Sequence, residues 1–156
     1  LETTHPEVLA KLNKRMTTDD FARAAAFLRG HGMEVRVFLL VKPPFLDSSA
    51  ALEWAMRSVE FAFACGANVV SLIPTRFGNG ALEELARSGD FTPPSLSLFE
   101  DAVDAAFAGA HGRGRVFADL WDLGRFCDNP TIFTGRHARL TEMNLRQIVL
   151  PRVPSA

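Results

Sequence analysis

Two short apolar runs, each cut off by proline, constrain this chain more than any other feature. EVRVFLLV at 34–41 stops at Pro43-Pro44, and NVVSLI at 68–73 stops at Pro74. The first begins by alternating and ends as a continuous apolar stretch, the pattern of a parallel strand covered on both sides. Between the runs, Leu52, Ala55, Met56, Val59, Ala62 and Phe63 recur at helical spacing, behind a Ser48 or Ser49 cap and ahead of Gly66. Strand, helix, strand in that order calls for parallel pairing through a right-handed crossover.

The same unit recurs along the chain. A short helix is expected over His5 to Asn13, opened by Pro6, and a second over Thr17 to Gly30, capped by Thr17 or Thr18 with Phe21, Ala24, Ala25 and Leu28 on its apolar stripe. After the second strand come a short helix, Ala81 to Ser88, and a longer one introduced by Pro93-Pro94 with Leu96, Phe99, Val103, Ala106 and Phe107 on one face. Arg115 to Leu120 reads as another strand, Asn129-Pro130 as loop, and about Arg136 to Val149 as a final helix. Leu1 to Thr4 reads as the end of an earlier strand, and the absence of an initial Met leads us to expect further chain upstream. A doubly wound open sheet and a segment of a β/α barrel both satisfy this alternation, and both place ligands beyond the carboxyl ends of the strands.

At 156 residues and 47% hydrophobic, the chain can bury one full core. A formal charge of −1 gives no global footprint for DNA or a membrane surface, although a local basic patch is still compatible with RNA. No apolar run approaches the roughly 20 residues of a membrane span, and the first residues resemble no signal or transit peptide, so a cytoplasmic protein is expected. Cys65 and Cys127 form no CxxC pair; Cys65 reads as a buried small hydrophobe.

The groups that follow the strands are therefore the candidate chemistry. They are Glu2, Thr3 and Thr4 after the first, Lys42 after the second, Thr75 and Arg76 after the third, and Asp119, Trp121 and Asp122 after the fourth. Polar residues are common at strand ends facing solvent, but four sets on one rim form a stronger pattern. Lys42, between an apolar run and two prolines, needs a specific destination for its charge, and Asp119, following Ala118, needs a partner. Asp119 and Asp122 are also the pair to suspect for acid–base chemistry. His5, His31 and His111 read as loop or turn histidines. Cys127 and His137 would supply only two ligands of a metal knuckle. No glycine-rich phosphate loop, nucleophile elbow or Walker lysine is present, and Gly78-Asn79-Gly80 reads as a turn.

The stretch LETTHPEVLAKLNKRMTTDDFARAAAFLRGHGMEVRVFLL resembles the middle of radical S-adenosylmethionine (radical SAM) enzymes of the tRNA-modifying type, such as the Elongator catalytic subunit and the methylthiotransferases. In these an ET-type strand end precedes an L…N-R…T…D/E pattern, a helix, a glycine and a strand. LLVKPPFL, SLIPTR and NGALEELARSGDFTPPSL are similar to the archaeosine synthase radical SAM group and its bacterial relatives, extending the resemblance to about Leu123.

This resemblance implies an α/β fold whose parallel β/α repeats form about half of a radical SAM-type partial TIM barrel over residues 1–123, with a loop, helix and tail over 124–156. It implies S-adenosylmethionine as cofactor and a 4Fe-4S cluster whose CxxxCxxC ligands lie upstream of Leu1. Glu2 or Thr3 would meet the SAM ribose. Lys14, next to Asn13 and at a position where family members often carry Arg, would meet the methionyl carboxylate, with Arg15 as alternative. Ile73 would pack on adenine. Lys42, Thr75, Arg76, Asp119 and Asp122 would face the substrate, a modified tRNA nucleoside, and a partner enzyme subunit is implied. The portion given would orient SAM and substrate for 5′-deoxyadenosyl radical chemistry without starting the reaction. The competing expectation is a cluster-free barrel-type domain that binds a nucleoside or RNA, or scaffolds a partner.

Overall fold

A computed structural model describes residues 1–127 and 129–154; residue 128 and residues 155–156 lie outside it. The elements run α1 (Pro6–Lys11), α2 (Thr18–Gly30), β1 (Arg36–Val41), α3 (Ser48–Ala64), β2 (Val69–Pro74), α4 (Ala81–Arg87), α5 (Leu96–Ala110), β3 (Arg115–Ala118), a 3-10 turn (Leu123–Phe126) and α6 (Pro130–Arg146). The sheet has three parallel strands in the order β1-β2-β3, with Val37 opposite Val70 and Val70 opposite Val116. The architecture is mixed α/β, with the parallel pairing that the strand–helix alternation requires, and it is compatible with part of a barrel. None of the helices among the described residues is long and apolar enough to cross a membrane.

Local chemistry accounts for most element boundaries. Thr17 Oγ1 accepts the Asp20 N–H at 3.1 Å while Asp20 Oδ2 accepts the Thr17 N–H at 2.9 Å, a reciprocal capping box at the start of α2. Ser95 caps α5 through the Leu98 N–H. Asp47 occupies the cap of α3 without a side-chain bond. The last helix begins at Pro130, earlier than the expected Arg136, because Asn129 Oδ1 accepts the Thr131 N–H and Pro130 fits the first helical position; it also stops sooner, at Arg146, where Gln147 turns left-handed.

One face of the sheet carries the core. Val37, Leu39, Val41, Val70, Leu72, Val116 and Ala118 are buried there with Ala55, Val59 and Ala62 of α3 and Phe99, Ala102, Val103 and Ala106 of α5. Small residues on both helices let them approach each other as well as the sheet. Burying one Val or Leu side chain contributes about 1.5–3 kcal/mol, so this layer dominates the stability.

The opposite face is open, which corrects the expectation of strands covered on both sides. Arg36, Phe38 and Leu40 alternate outward with Val37, Leu39 and Val41, and Phe38 is half exposed. Arg36 lies over the rings of Phe38 and Phe117, at 5.2 and 5.5 Å to the centroids, and its Nε and Nη2 donate to Ser71 Oγ. The apolar run at Leu40 continues because Leu40 lines a cleft.

The expected opening strand is also absent as a sheet strand. Residues 1–5 are irregular, but Glu2 C=O accepts the Leu40 N–H at 2.8 Å, which lays this segment beside the end of β1. At the opposite edge, α6 packs on β3, and Arg136 and Arg139 tie it to Glu100 and Asp104 of α5.

Candidate functional site

Beyond the carboxyl ends of β1 and β2 lies a cleft of about 700 Å³, within the roughly 300–1,000 Å³ typical of small-molecule sites. Its apolar wall comes from Leu12, Leu40 and Ile73 together with Leu82 and Leu85 of α4. Its polar groups are Glu2, Lys11 and Lys14 on one side and Thr75, Arg76, Asn79 and Glu84 on the other.

Glu2 and Lys14 pair on that first side, Oε1 to Nζ at 2.7 Å, with the lysine half exposed and the glutamate less so. The geometry is set by the turn after α1. Asn13 (φ 53°) and Arg15 (φ 50°) both take left-handed backbone on either side of Lys14, folding it back towards the opening segment. Such conformations in non-glycine residues cost of order 1–3 kcal/mol and cluster at functional sites. A carboxylate and an ammonium beside an apolar wall suit a ligand carrying hydroxyls, a carboxylate and a flat ring.

On the far side, Thr75 is buried, and both its N–H and its Oγ1 donate to the Val41 carbonyl, locking β2 to β1 as the strands end. Arg76 Nη2 donates to Asp119 Oδ2 at 2.5 Å, and the Arg76 side chain is only 12% exposed. Its Nε is buried without a hydrogen-bond partner. Asp119 therefore has the partner its sequence context called for, supplied by the neighbouring strand end.

The structure brings Glu2, Lys14, Ile73, Thr75 and Arg76 into one cleft and leaves the other candidates outside it. Thr3 is buried, its Oγ1 accepting the His5 N–H at 3.2 Å. Asn13 is exposed on the turn. Asp119 lines a smaller hollow on the open sheet face with Arg36 and Phe117. Asp122 is exposed and pairs with Arg125 at 3.3 Å, so it and Asp119 are engaged by different guanidinium groups.

Lys42 lines a separate, smaller polar cleft with Asp47, Asp90 and Thr92. It is 3% exposed, at φ 55°, and its ammonium donates to Thr92 C=O at 2.5 Å and also to Thr92 Oγ1. Burial pushes its pKa below the ordinary lysine value, opposed by the nearby Asp47 carboxylate. The specific destination of this charge is thus the loop before α5.

Cys127 Sγ donates to Asn129 C=O, and His137 Nδ1 lies 3.5 Å from Thr141 Oγ1. Among the described residues no group of three or more His, Cys, Asp or Glu side chains is placed to hold a metal ion.

Two parts of the site escaped the sequence reading. Leu82 and Leu85 form a cleft wall because α4 folds back over the strand ends, which its amphipathic seven residues do not reveal. The open sheet face was foreshadowed by the alternation in EVRVF.

No family model matches the chain. Over 98 residues, 62% of its length, the chain is 35% identical to archaeosine synthase subunit beta of Methanosarcina acetivorans, and that match spans 28% of the relative's length.

Proposed function

We propose that this chain is the part of a radical SAM enzyme of tRNA modification that positions S-adenosylmethionine and its substrate. The observation that carries the reading is the Glu2–Lys14 pair facing the apolar wall of a cleft at the strand ends, in a chain similar to a protein named as an archaeosine synthase subunit. The relative's name supports tRNA as the substrate class and a second subunit as partner.

The donor set fits S-adenosylmethionine. Leu40 and Ile73 offer an apolar surface for adenine, the Glu2 carboxylate accepts ribose hydroxyls, and the Lys14 ammonium takes the methionyl carboxylate after release from Glu2. Arg76, held by Asp119, presents a fixed cation between this cleft and the open sheet face. When bound, the cofactor supplies one-electron hydrogen-abstraction chemistry, which needs an external electron. The described residues do not fit an iron–sulfur cluster: Cys65 and Cys127 stand apart from any third ligand. The chain's own contribution is to bind, orient and exclude water from the reacting region.

Isothermal titration of the chain with S-adenosylmethionine tests the reading. Saturable binding that weakens about tenfold in both Lys14→Ala and Glu2→Gln is expected, since a charge-assisted hydrogen bond contributes about 1.5–3 kcal/mol. No binding, or binding indifferent to both substitutions, overturns it.

A further inference from the structure

We propose that Trp121, backed by Arg76, is a stacking platform for a nucleobase. Trp121 is 68% exposed at the carboxyl-terminal rim, two residues beyond Asp119. One side of its ring faces the Arg76 guanidinium, 4.9 Å from the ring centroid. Asp119 links this residue to the guanidinium behind its ring. Asp119 Oδ1 accepts the Trp121 backbone N–H at 3.1 Å, and Asp119 Oδ2 takes the Arg76 guanidinium. Immediately afterwards Asp122 turns left-handed (φ 51°) and pairs with Arg125, whose Nη1 also donates to Phe77 C=O. The Trp121 backbone and the guanidinium behind its ring are thus fixed to one carboxylate, which restricts the exposed indole before a ligand arrives.

The surroundings select the ligand. Exposed rings that dock proteins sit within a continuous apolar patch. Trp121 stands in the chain between Asp119 and Asp122, each paired with an arginine, and one of these, Arg76, lies on its ring, so charged groups adjoin the indole. A cationic ligand is disfavoured because a guanidinium already occupies one side of the ring. A planar heterocycle with hydrogen-bonding edges satisfies both the ring face and the charged groups beside it. Base–aromatic stacking is the recurrent way proteins hold unpaired bases.

Arg76 lines the main cleft, and Asp119 and Leu120 line the hollow on the open sheet face, so the platform adjoins both. This inference rests on the proposed function only for the choice of RNA as the source of the base; a free nucleoside shares the same chemistry.

The test uses Trp54→Phe, which leaves Trp121 as the single tryptophan, and follows its emission during titration with adenosine, guanosine, a single-stranded RNA and bulk tRNA. Saturable quenching is expected. Quenching by RNA but not by free nucleosides assigns a polynucleotide base, and the reverse assigns a free nucleoside. Read by isothermal titration, since these variants lack the fluorophore, Trp121→Ala should weaken binding of the quenching ligand about tenfold, Trp121→Phe should recover most of it, and S-adenosylmethionine affinity should stay within about twofold. No quenching, or equal affinity in Trp121→Ala, overturns the platform even if the cofactor binds. Quenching without any cofactor binding upholds the platform while the proposed function fails.

Discussion

Gln147 closes the free edge of β3 by taking both backbone groups of Val116: its Oε1 accepts the Val116 N–H at 3.0 Å and its Nε2 donates to the Val116 carbonyl at 2.9 Å. Asn144, one helical turn earlier, does the same for Ala118 at 2.8 and 2.9 Å. Three helical residues advance about 4.5 Å and two residues of strand about 6.6 Å, a gap that two flexible amides span to stand in for a neighbouring strand.

Removing these amides reopens an edge. Asn144→Ala/Gln147→Ala should cost about 2–6 kcal/mol in urea unfolding, since four hydrogen bonds to β3 are lost at about 0.5–1.5 kcal/mol each. The exposed N–H and C=O groups should also promote self-association, read as a concentration-dependent rise in mass by light scattering. A double variant that remains monomeric and equally stable would show that water replaces the amides without cost.

Arg139 carries the attachment of α6. Its side chain is 4% exposed, and it contacts Asp104 at 2.6 Å, Glu100 at 3.6 Å and the carbonyls of Leu150 and Pro151. Arg139→Met should destabilise the fold by about 3 kcal/mol, because it strips a partner from buried carboxylates. Limited proteolysis should then begin in the segment after Leu150, where three anchoring hydrogen bonds are lost. Arg139→Lys should recover only part of the stability, since an ammonium does not span carboxylates and carbonyls as the planar fork does.

Gly114 precedes β3 where the chain passes Asn68. A Cβ there would lie 2.6 Å from the Asn68 carbonyl oxygen and 2.7 Å from the Phe63 ring. Gly114→Ala should cost about 1–3 kcal/mol through forced displacement. The amide of Arg115, which donates to Asn68 C=O at 2.9 Å, should exchange faster with deuterium.

Lys42 provides a pH signature. Burial holds its pKa below the ordinary 10.5, so the folded chain releases this proton at a lower pH than the unfolded chain. Between the two values the unfolded state binds more protons, and stability rises with pH. Lys42→Met should lose about 1 kcal/mol at neutral pH with its bonds to Thr92. The wild-type advantage should widen as pH climbs through the alkaline range towards 10.5, compared by thermal melts at matched ionic strength. A gap that narrows instead contradicts the assigned direction.

Short-range periodicity and capping chemistry determined, from the sequence alone, the strand–helix alternation, the parallel pairing it requires and the rim where polar groups gather. Thr17, Ser95 and the prolines at 43, 44, 93 and 94 act within a few residues of themselves, so their effects are readable locally. Only the tertiary structure decided which rim residues meet. Arg76 reaches Asp119 across 43 positions because β2 and β3 pair with Leu72 opposite Ala118. Lys14 reaches Glu2 because two left-handed residues reverse the turn between them. The same physics explains the misreading of the β1 run. Apolar residues satisfy a cleft wall as well as a core, and the amino-acid pattern registers hydrophobicity without registering what will lie against it.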